Sequence, residues 1–377
     1  MNNIKKDLLK AIELKTIGKY EEALKLYQNA YSQDPNSFGP NQREDFAWTI
    51  YWTGITNFKS EEELIENAQF ITCLLNQKDL KSSPNCPYTS AVFKVLKHLE
   101  SQKDYESMIS WLEKLDPELL DKKPYRKHNR LNKSKREKYY DWASICYLKT
   151  MHCEKCIEAS MTALSEFNRF IDDGDAWHKY RIAKSYNELG NLKEALKYYI
   201  EVIKFKHDWY IYRDIADIHY RCGRPFDALE YLCPAALSPT PNSEKANLYY
   251  LCYNVFKSFN PEMALKHAQL LFLLKQEKGH SIPYEIEQLD IDSSQLDKRK
   301  LEKEIHTLWV RYRFRYHNLH SGTVYSYDED EGHGLIEKSD GELVGFHKND
   351  FEGKSIFIAE NVVFYVEDDE AVYVRRK

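Results

Sequence analysis

The stretch that decides the fold lies near the start of the chain and reads IKKDLLKAIELKTIGKYEEALKLYQNAYSQDPN (4–36). Ala11 falls in its first half and Ala23 in its second, where small side chains let two antiparallel helices approach closely. Tyr27 supplies the large side chain that fills the gap to the next pair of helices. Gly18 marks a turn between the halves, and Pro35 ends the pattern. The stretch therefore predicts one helical hairpin.

The same pattern returns along the chain, which indicates a repeat protein. Gly190 and Gly223 stand 33 residues apart, at equivalent positions of two further copies. The copies resemble the tetratricopeptide repeat (TPR), whose period is about 34 residues. The clear copies are 4–36, 176–208 and 209–242; weaker ones are 245–278, 89–120 and 137–170, and 44–80 is doubtful. Residues 1–285 are therefore predicted to form a TPR-like α-solenoid, an architecture that usually binds peptides or partner proteins in its groove.

Composition and motifs argue against several classes of function. The net charge of −5 excludes a generally basic nucleic-acid-binding chain, and the chain contains none of the P-loop, dinucleotide-binding, HExxH or GxSxG motifs. Eight cysteines lie in apolar helical patterns, where reduced structural cysteines are expected. We therefore expect a soluble, cytoplasmic, non-catalytic protein with no cofactor and no metal. No stretch is apolar enough to predict a signal peptide or a membrane span.

One strongly basic segment, KKPYRKHNRLNKSKREK (122–138), interrupts the repeats. Residues 121–139 contain nine Lys or Arg against Asp121 and Glu137, and Pro124 favours a loop. Phosphate contacts with an aromatic ring for base stacking are one interpretation. The candidate residues are Lys122, Lys123, Tyr125, Arg126, Lys127 and Arg130. A solvated loop or an acidic protein partner is the alternative.

A connector is predicted at 286–319. Ser294 and Asp297 have the spacing of a capping box that opens a helix, and apolar residues follow at helical spacing to about residue 312. The overlapping stretch VRYRFRY (310–316) alternates as a strand would. Its basic residues, Arg311, Arg313 and Arg315, are candidate nucleic-acid contacts. The alternative is an amphipathic connector packed on the last repeat.

The last segment, 320–377, has a residue pattern typical of a small β-barrel. Six of the thirteen glycines fall between residues 322 and 353, among short runs of β-branched and aromatic residues. Strands are predicted at 322–327, 333–338, 342–347, 355–367 and 371–376. Five short strands in so few residues predict an oligonucleotide/oligosaccharide-binding (OB) barrel.

The segment SGTVYSYDEDEGHGLIEKSDGELVGFHKNDF (321–351) resembles the bacterial cold-shock domain. In that family, aromatic residues of neighbouring strands stack on the bases of single-stranded RNA or DNA. The resemblance implies that Tyr327, His333 and His347 take this role, whereas Ser326, Leu335 and Gly345 replace aromatic residues of the family. Residues 320–377 carry fourteen Asp or Glu against six Lys or Arg. This acidic balance opposes a polyanion and favours contacts with protein.

These observations predict a non-catalytic adaptor. Its solenoid would bind an unidentified protein or peptide, and its cold-shock-like barrel and basic segments would bind single-stranded RNA or DNA. The alternative is a scaffold for protein contacts alone, or an autoinhibited regulator, in which the acidic barrel docks on protein or on the basic segment 122–138.

Overall fold

A computed structural model describes residues 2–79, 86–353 and 355–377. The fold is mainly α, as predicted, with helical hairpins of a TPR-like solenoid followed by a closed five-stranded barrel. Two compact units are separated at Phe205, so that one comprises Met1–Phe205 and the other Lys206–Lys377. The functional division at residues 285 and 319 stays a prediction.

The described residues of the first unit, 2–79 and 86–205, form five helical hairpins. Their helices, in chain order, are α1 (Asn2–Thr16), α2 (Tyr20–Gln33), α3 (Pro40–Ile50), α4 (Glu61–Leu74), α5 (Pro87–Gln102), α6 (Tyr105–Leu112), α7 (Lys135–Lys149), α8 (Cys153–Glu166), α9 (Gly174–Glu188) and α10 (Leu192–Val202). Ala11, Ala23 and Tyr27 are completely buried. Gly18 turns the chain at a φ of +78°, which glycine adopts at no steric cost. The predicted hairpin is therefore confirmed: its small residues and Tyr27 are packed inside, and its glycine makes the turn.

The doubtful stretch 44–80 contains a hairpin whose first helix is irregular. Helix α3 continues into a single π-helical turn, Tyr51–Ile55, in which the Thr56 N–H donates to the Tyr51 carbonyl at 3.0 Å. Gly54 lies in this turn and is buried against the Asn67 side chain of α4. The widened turn adds a residue to the helix, which explains why the stretch matches the repeat poorly.

The basic segment is a β-hairpin followed by a helix, so the prediction of a loop over 122–138 was wrong. Strands β1 (Tyr125–Lys127) and β2 (Arg130–Asn132) pair in antiparallel register. His128 and Asn129 make the turn with positive φ values of 48° and 60°, the geometry of a tight hairpin. Helix α7 then begins at Lys135, and the Ser134 hydroxyl caps it by accepting from the Glu137 N–H.

The helices of the second unit surround a separate apolar core. They are α11 (Trp209–Arg221), α12 (Pro225–Leu237), α13 (Ala246–Phe256), α14 (Pro261–Glu277), α15 (Tyr284–Glu287) and α16 (Lys298–Arg313). Helix α16 packs against α12 and α14 through Leu301, Ile305 and Trp309. The connector is thus an amphipathic helix packed on the last repeat, which was one of the two predicted alternatives. The strand that the alternation of 310–316 suggested does not form.

The predicted capping box at the start of this connector was wrong. Asp297 alone caps α16, and its carboxylate accepts from the Lys300 N–H at 3.1 Å. Ser294 belongs to a short 3-10 turn, Ser293–Gln295, which Asp292 caps. An aspartate three residues after the serine is itself a strong capping residue, so the helix begins later than the pattern suggested.

The barrel comprises β3 (His320–Asp328), β4 (His333–Lys338), β5 (Leu343–His347), β6 (Asn361–Glu367) and β7 (Glu370–Arg376). Strand order around the closed barrel is β3-β4-β5-β7-β6, and β5 runs parallel to β7. Strand β6 lacks the predicted residues 355–360, because Ala359 adopts a φ of +66° in a turn there. Phe314, just after α16, stacks on Tyr365 of β6 with a centroid distance of 4.4 Å.

Gly334 of β4 lies where the barrel core has no room for a side chain. A Cβ atom at this position would overlap the Phe346 ring and lie 2.6 Å from the Ser326 carbonyl oxygen. Gly334→Ala is expected to lower the free energy of unfolding of the second unit by about 1–3 kcal/mol, because the added carbon overpacks the core. Urea unfolding measures the effect. Gly345→Ala is the matched control on β5, where a Cβ atom meets nothing within 4 Å; equal losses in both variants would contradict this role.

Candidate nucleic-acid interface

A groove of about 990 Å³ lies in the first unit beside the β-hairpin. Most of its lining comes from helix α5, the hairpin β1–β2, the residues that lead into helix α7 and α7 itself, and Tyr51, Asp121 and Asp172 complete it. Their basic side chains are Lys94, Lys97, Lys123, Lys127, Arg130, Lys133, Lys135 and Lys138. Among the residues that the structure describes, three carboxylates line it, those of Glu100, Asp121 and Asp172. The groove is therefore a concentration of positive charge in a chain that is acidic as a whole.

Helical spacing brings these side chains onto the groove. On α5, Ser90, Phe93 and Lys97 follow one another at intervals of three and four residues, so they share one helix face. Lys135, Lys138 and Trp142 do the same on α7. Neighbouring first helices of successive hairpins therefore present one continuous wall.

Two aromatic rings pack beneath the basic side chains of the groove. The Phe93 and Trp142 rings are in contact, with a centroid distance of 5.2 Å. The Lys138 ammonium lies 4.7 Å from the Trp142 ring centre, within cation–π distance. The Trp142 Nε1–H is buried and has no acceptor among the described residues. The wall therefore combines cationic side chains with aromatic rings packed beneath them.

Some cations of the groove already have carboxylate partners. Arg130 lies 3.3 Å from Asp172, and Lys138 lies 3.1 Å from Glu100. Within the described parts of the chain, Lys97, Lys123 and Lys127 have no carboxylate within ion-pair distance. These three ammonium groups are available to an anionic ligand without breaking an existing pair.

A buried ionic network holds the base of the hairpin. The Asp141 carboxylate of α7 accepts from Lys133, which follows β2, and from Arg181 of α9 at 2.9 Å. Burial would raise the pKa of Asp141, but the charges of Arg181 and Lys133 outweigh it and hold that pKa below its usual value. Burial and the nearby Arg181 lower the pKa of His178 to about 3, so this histidine is neutral. Lys133 is thus tied to the helical core rather than to solvent.

Of the six residues predicted in the basic segment, the structure brings four together. Lys123, Tyr125, Lys127 and Arg130 line the groove, whereas Lys122 and Arg126 do not. The Lys122 ammonium lies 3.6 Å from Glu166 and above the Phe167 ring. Arg126 is exposed elsewhere on the hairpin.

Sequence reasoning missed the contribution of α5. Lys94 and Lys97 lie in a degenerate repeat copy, far from the basic segment in sequence, and join it only because α5 lies beside α7 in the stack. A signal was present, since Ser90, Phe93, Lys94 and Lys97 all fall on one helix face. The prediction for 89–120 was a weaker repeat copy, and it assigned no role to these positions.

The barrel residues predicted from the cold-shock resemblance do not share one face. His333 of β4 pairs with His347 of β5, and their rings are 4.8 Å apart. Tyr327 pairs with the buried Gly334 and stacks on the core residue Phe346 at 6.2 Å. Tyr327 therefore packs partly into the barrel, and the two histidines form a separate pair beside the exposed Leu335.

An acidic turn follows β3 directly beside this histidine pair. It comprises residues 328–331, and the Asp328 carboxylate accepts from the Asp330 and Glu331 N–H groups at 2.9 and 3.0 Å. Asp328 is also the register partner of His333. The acidic turn thus begins beside the histidine pair, where its negative charge opposes the approach of a polyanion.

The arginines at the end of the connector have internal partners. Arg313 lies 2.8 Å from Glu367 of β6, and Arg315 pairs with Glu230 of α12. Arg311 is exposed. Two of these three candidates therefore tie the connector to its neighbours in the second unit.

No three His, Cys, Asp or Glu side chains of the described residues lie together as a metal site requires. Cys153 and Cys156, which have the spacing of half a zinc site, are both buried free thiols at the start of α8. Over the same described ranges, no helix is long and apolar enough to cross a bilayer.

Comparison with known proteins finds only distant structural likenesses. No protein-family model matches the chain, and no curated protein matches it. Solved structures with similar folds include BtubC from P. vanneervenii, with 12% identity and a TM-score of 0.40 over 62% of this chain and 94% of that one. A tetratricopeptide repeat protein from Parabacteroides merdae has 13% identity and a TM-score of 0.34, over 82% of this chain and 100% of its own.

A third similar structure is the human IFIT1 dimer with m7Gppp-AAAA, at 14% identity and a TM-score of 0.37, over 83% of this chain and 64% of its own. Neighbours of this chain thus include TPR repeat proteins. Likenesses of this degree do not carry a function from one chain to another.

Proposed function

We propose that this protein is a non-catalytic adaptor that binds nucleic acid in the basic groove of its first unit and a protein partner elsewhere on its helical repeats. The groove carries the proposal, because its described lining residues include eight basic side chains against three carboxylates. A phosphate backbone neutralises such a surface and releases its own counterions on binding. The groove also has aromatic side chains, which a simple solvated surface does not need.

Binding to a labelled single-stranded oligonucleotide is expected to be salt-dependent. If Lys97, Lys123 and Lys127 contact phosphates, the logarithm of the affinity should fall with the logarithm of salt concentration with a slope of about −2 or steeper. Fluorescence anisotropy at several salt concentrations measures this slope. Lys97→Gln with Lys127→Gln should weaken binding at low salt and reduce the slope by about 1.4.

The matched control replaces two exposed lysines of the same unit, Lys10→Gln with Lys25→Gln, and removes the same charge away from the groove. This control should bind like the wild type. Absence of binding at low salt, or equal losses in both variants, would contradict the proposal. If an acidic peptide of the same charge as the oligonucleotide displaces it equally well, the alternative is favoured, in which the groove binds a protein.

For the barrel, we infer an OB-like module of secondary importance. Its strand order and the parallel pairing of β5 with β7 support the OB comparison. The His333–His347 pair offers two rings to a base, whereas the acidic turn opposes phosphates. His333→Ala with His347→Ala should therefore weaken binding less than the loss of Lys97 and Lys127. A larger effect of the histidine variant would place the main site on the barrel.

A further inference from the structure

We propose that three aromatic side chains next to the basic groove, Tyr20, Trp48 and Trp52, form a stacking platform for unpaired bases. This set is called the aromatic ladder. The inference rests on the proposed function and narrows it, since a stacking platform selects single-stranded nucleic acid over a duplex. None of these three residues belongs to the basic segment or to the barrel.

The rings of the ladder are arranged nearly parallel. Trp48 and Trp52 lie 6.2 Å apart between ring centroids with an interplanar angle of 20°, and Tyr20 and Trp52 lie 6.2 Å apart at 28°. Trp52 is 45% exposed, although tryptophan is among the costliest side chains to leave in water. Tyr20 and Trp48 are half-buried and support Trp52, whose exposed ring surface is available to a flat ligand.

Tyr51 connects the ladder with the groove. It is a lining residue of the groove, and its ring contacts both Trp48 and Trp52 edge-on, each at a centroid distance of 5.4 Å. The ladder therefore begins where the basic groove ends. A strand whose phosphates follow the groove would bring its bases to these rings.

The local backbone explains how the rings come together. Trp48 precedes the π-helical turn Tyr51–Ile55, and Trp52 lies within it. A π-helical turn adds one residue to the helix, which rotates the following side chains, and such turns are frequent at functional sites. The buried Gly54 lets α4 pack against this turn through Asn67, so the turn is part of the core.

Charge favours nucleic acid over an apolar peptide as the occupant. Lys94 and Lys97 lie on α5, on the wall of the groove that Tyr51 also lines. Basic side chains beside stacked aromatic rings are the combination that proteins use for single strands, where each base–aromatic stack contributes substantially. An apolar peptide could pack against the rings, but it would make no favourable ionic contact with the lysines.

The test compares two labelled probes of equal length and phosphate number, an oligothymidine and an oligomer of abasic nucleotides. Wild-type protein should bind the oligothymidine more tightly. Trp52→Ala should weaken oligothymidine binding roughly 5- to 150-fold, which corresponds to the stacking of one base, and leave abasic binding and the salt slope unchanged. Phe205→Ala, at a residue that is 64% exposed in the same unit, is the control and should change neither.

The outcomes separate this inference from the proposed function. If neither probe binds, the groove does not bind nucleic acid and both ideas fail. If both probes bind equally and Trp52→Ala has no effect, the groove binds phosphates alone and the aromatic ladder is not a base platform. Circular dichroism of the variant shows whether the helices remain folded.

Discussion

Asp141→Asn is expected to lower the free energy of unfolding of the first unit by about 3–5 kcal/mol. The Asp141 carboxylate is buried between the side chains of Lys133 and Arg181. The Arg181 guanidinium lies 2.9 Å from this carboxylate and is itself buried. The substitution leaves the Arg181 guanidinium without its counter-charge in a medium of low polarity. Breaking one side of such a pair costs far more than the pair contributes as a whole.

Urea unfolding measures this loss, and two further variants identify its cause. Asp172→Asn removes a surface partner of Arg130 in the same groove and should cost no more than about 1 kcal/mol. The double variant Asp141→Leu with Arg181→Met removes both charges and should recover much of the stability. If the double variant is as unstable as Asp141→Asn, packing at this site and not the isolated charge causes the loss.

The helical hairpins could be predicted from the sequence because each carries its own local signal. Gly18, Gly190 and Gly223 all adopt positive φ at the turns between helices, so the glycine marks the turn directly. Lys103 and Met151 adopt the same left-handed conformation at equivalent turns. Their copies looked degenerate because the conformation was kept although the glycine was not.

The candidate site was harder to predict because it depends on contacts between distant parts of the chain. The charge of 122–138 is visible in the sequence, but the hairpin turn uses His128 and Asn129 and lacks the glycine that usually marks such a turn. The ladder residues Trp48 and Trp52 lie in the stretch that matched the repeat worst. A π-helical turn breaks the 3.6-residue period on which helix prediction relies.

In the barrel, the predicted strands are present, but the predicted common face of the candidate residues is not. Strand β4 was predicted to the residue, and the five strands occur in the expected sequence. Tyr327 nevertheless turns toward Phe346, because a register shift between Val324 and Ser326 interrupts the alternation of β3. A bulge of this kind changes which side chains reach the surface, and a motif alignment does not reveal it.

The second unit is expected to lose about 2–3 kcal/mol of stability as the pH falls from about 6.5 to about 4. His267 is completely buried, and its Nδ1 lies 2.7 Å from the Met263 carbonyl, to which it donates. Its Nε2 must then be unprotonated, and it accepts from the Trp309 Nε1–H at 3.1 Å. Burial lowers the pKa of His267 to about 4.

The sign follows from proton binding. Between pH 6.5 and 4 the unfolded chain takes up a proton at His267 that the folded chain refuses, so acid favours the unfolded state. Protonation in the folded state would also remove the acceptor of Trp309, which fastens α16 to α14. Stability from this residue is therefore present above pH 6.5 and is lost as the pH falls toward 4.

Urea unfolding of wild type and variants across this pH range, followed by hydrogen exchange in α14 and α16, measures the effect. His267→Gln keeps an oxygen acceptor for Trp309 and removes the titrating ring, so its stability should be lower at neutral pH but change less with acid. His280→Gln, at an exposed position after α14, should leave the wild-type profile intact. Only a neutral His267 can accept the Trp309 N–H, so the two pH profiles should differ. Parallel pH profiles for wild type and His267→Gln would show that acid acts on this unit through other groups.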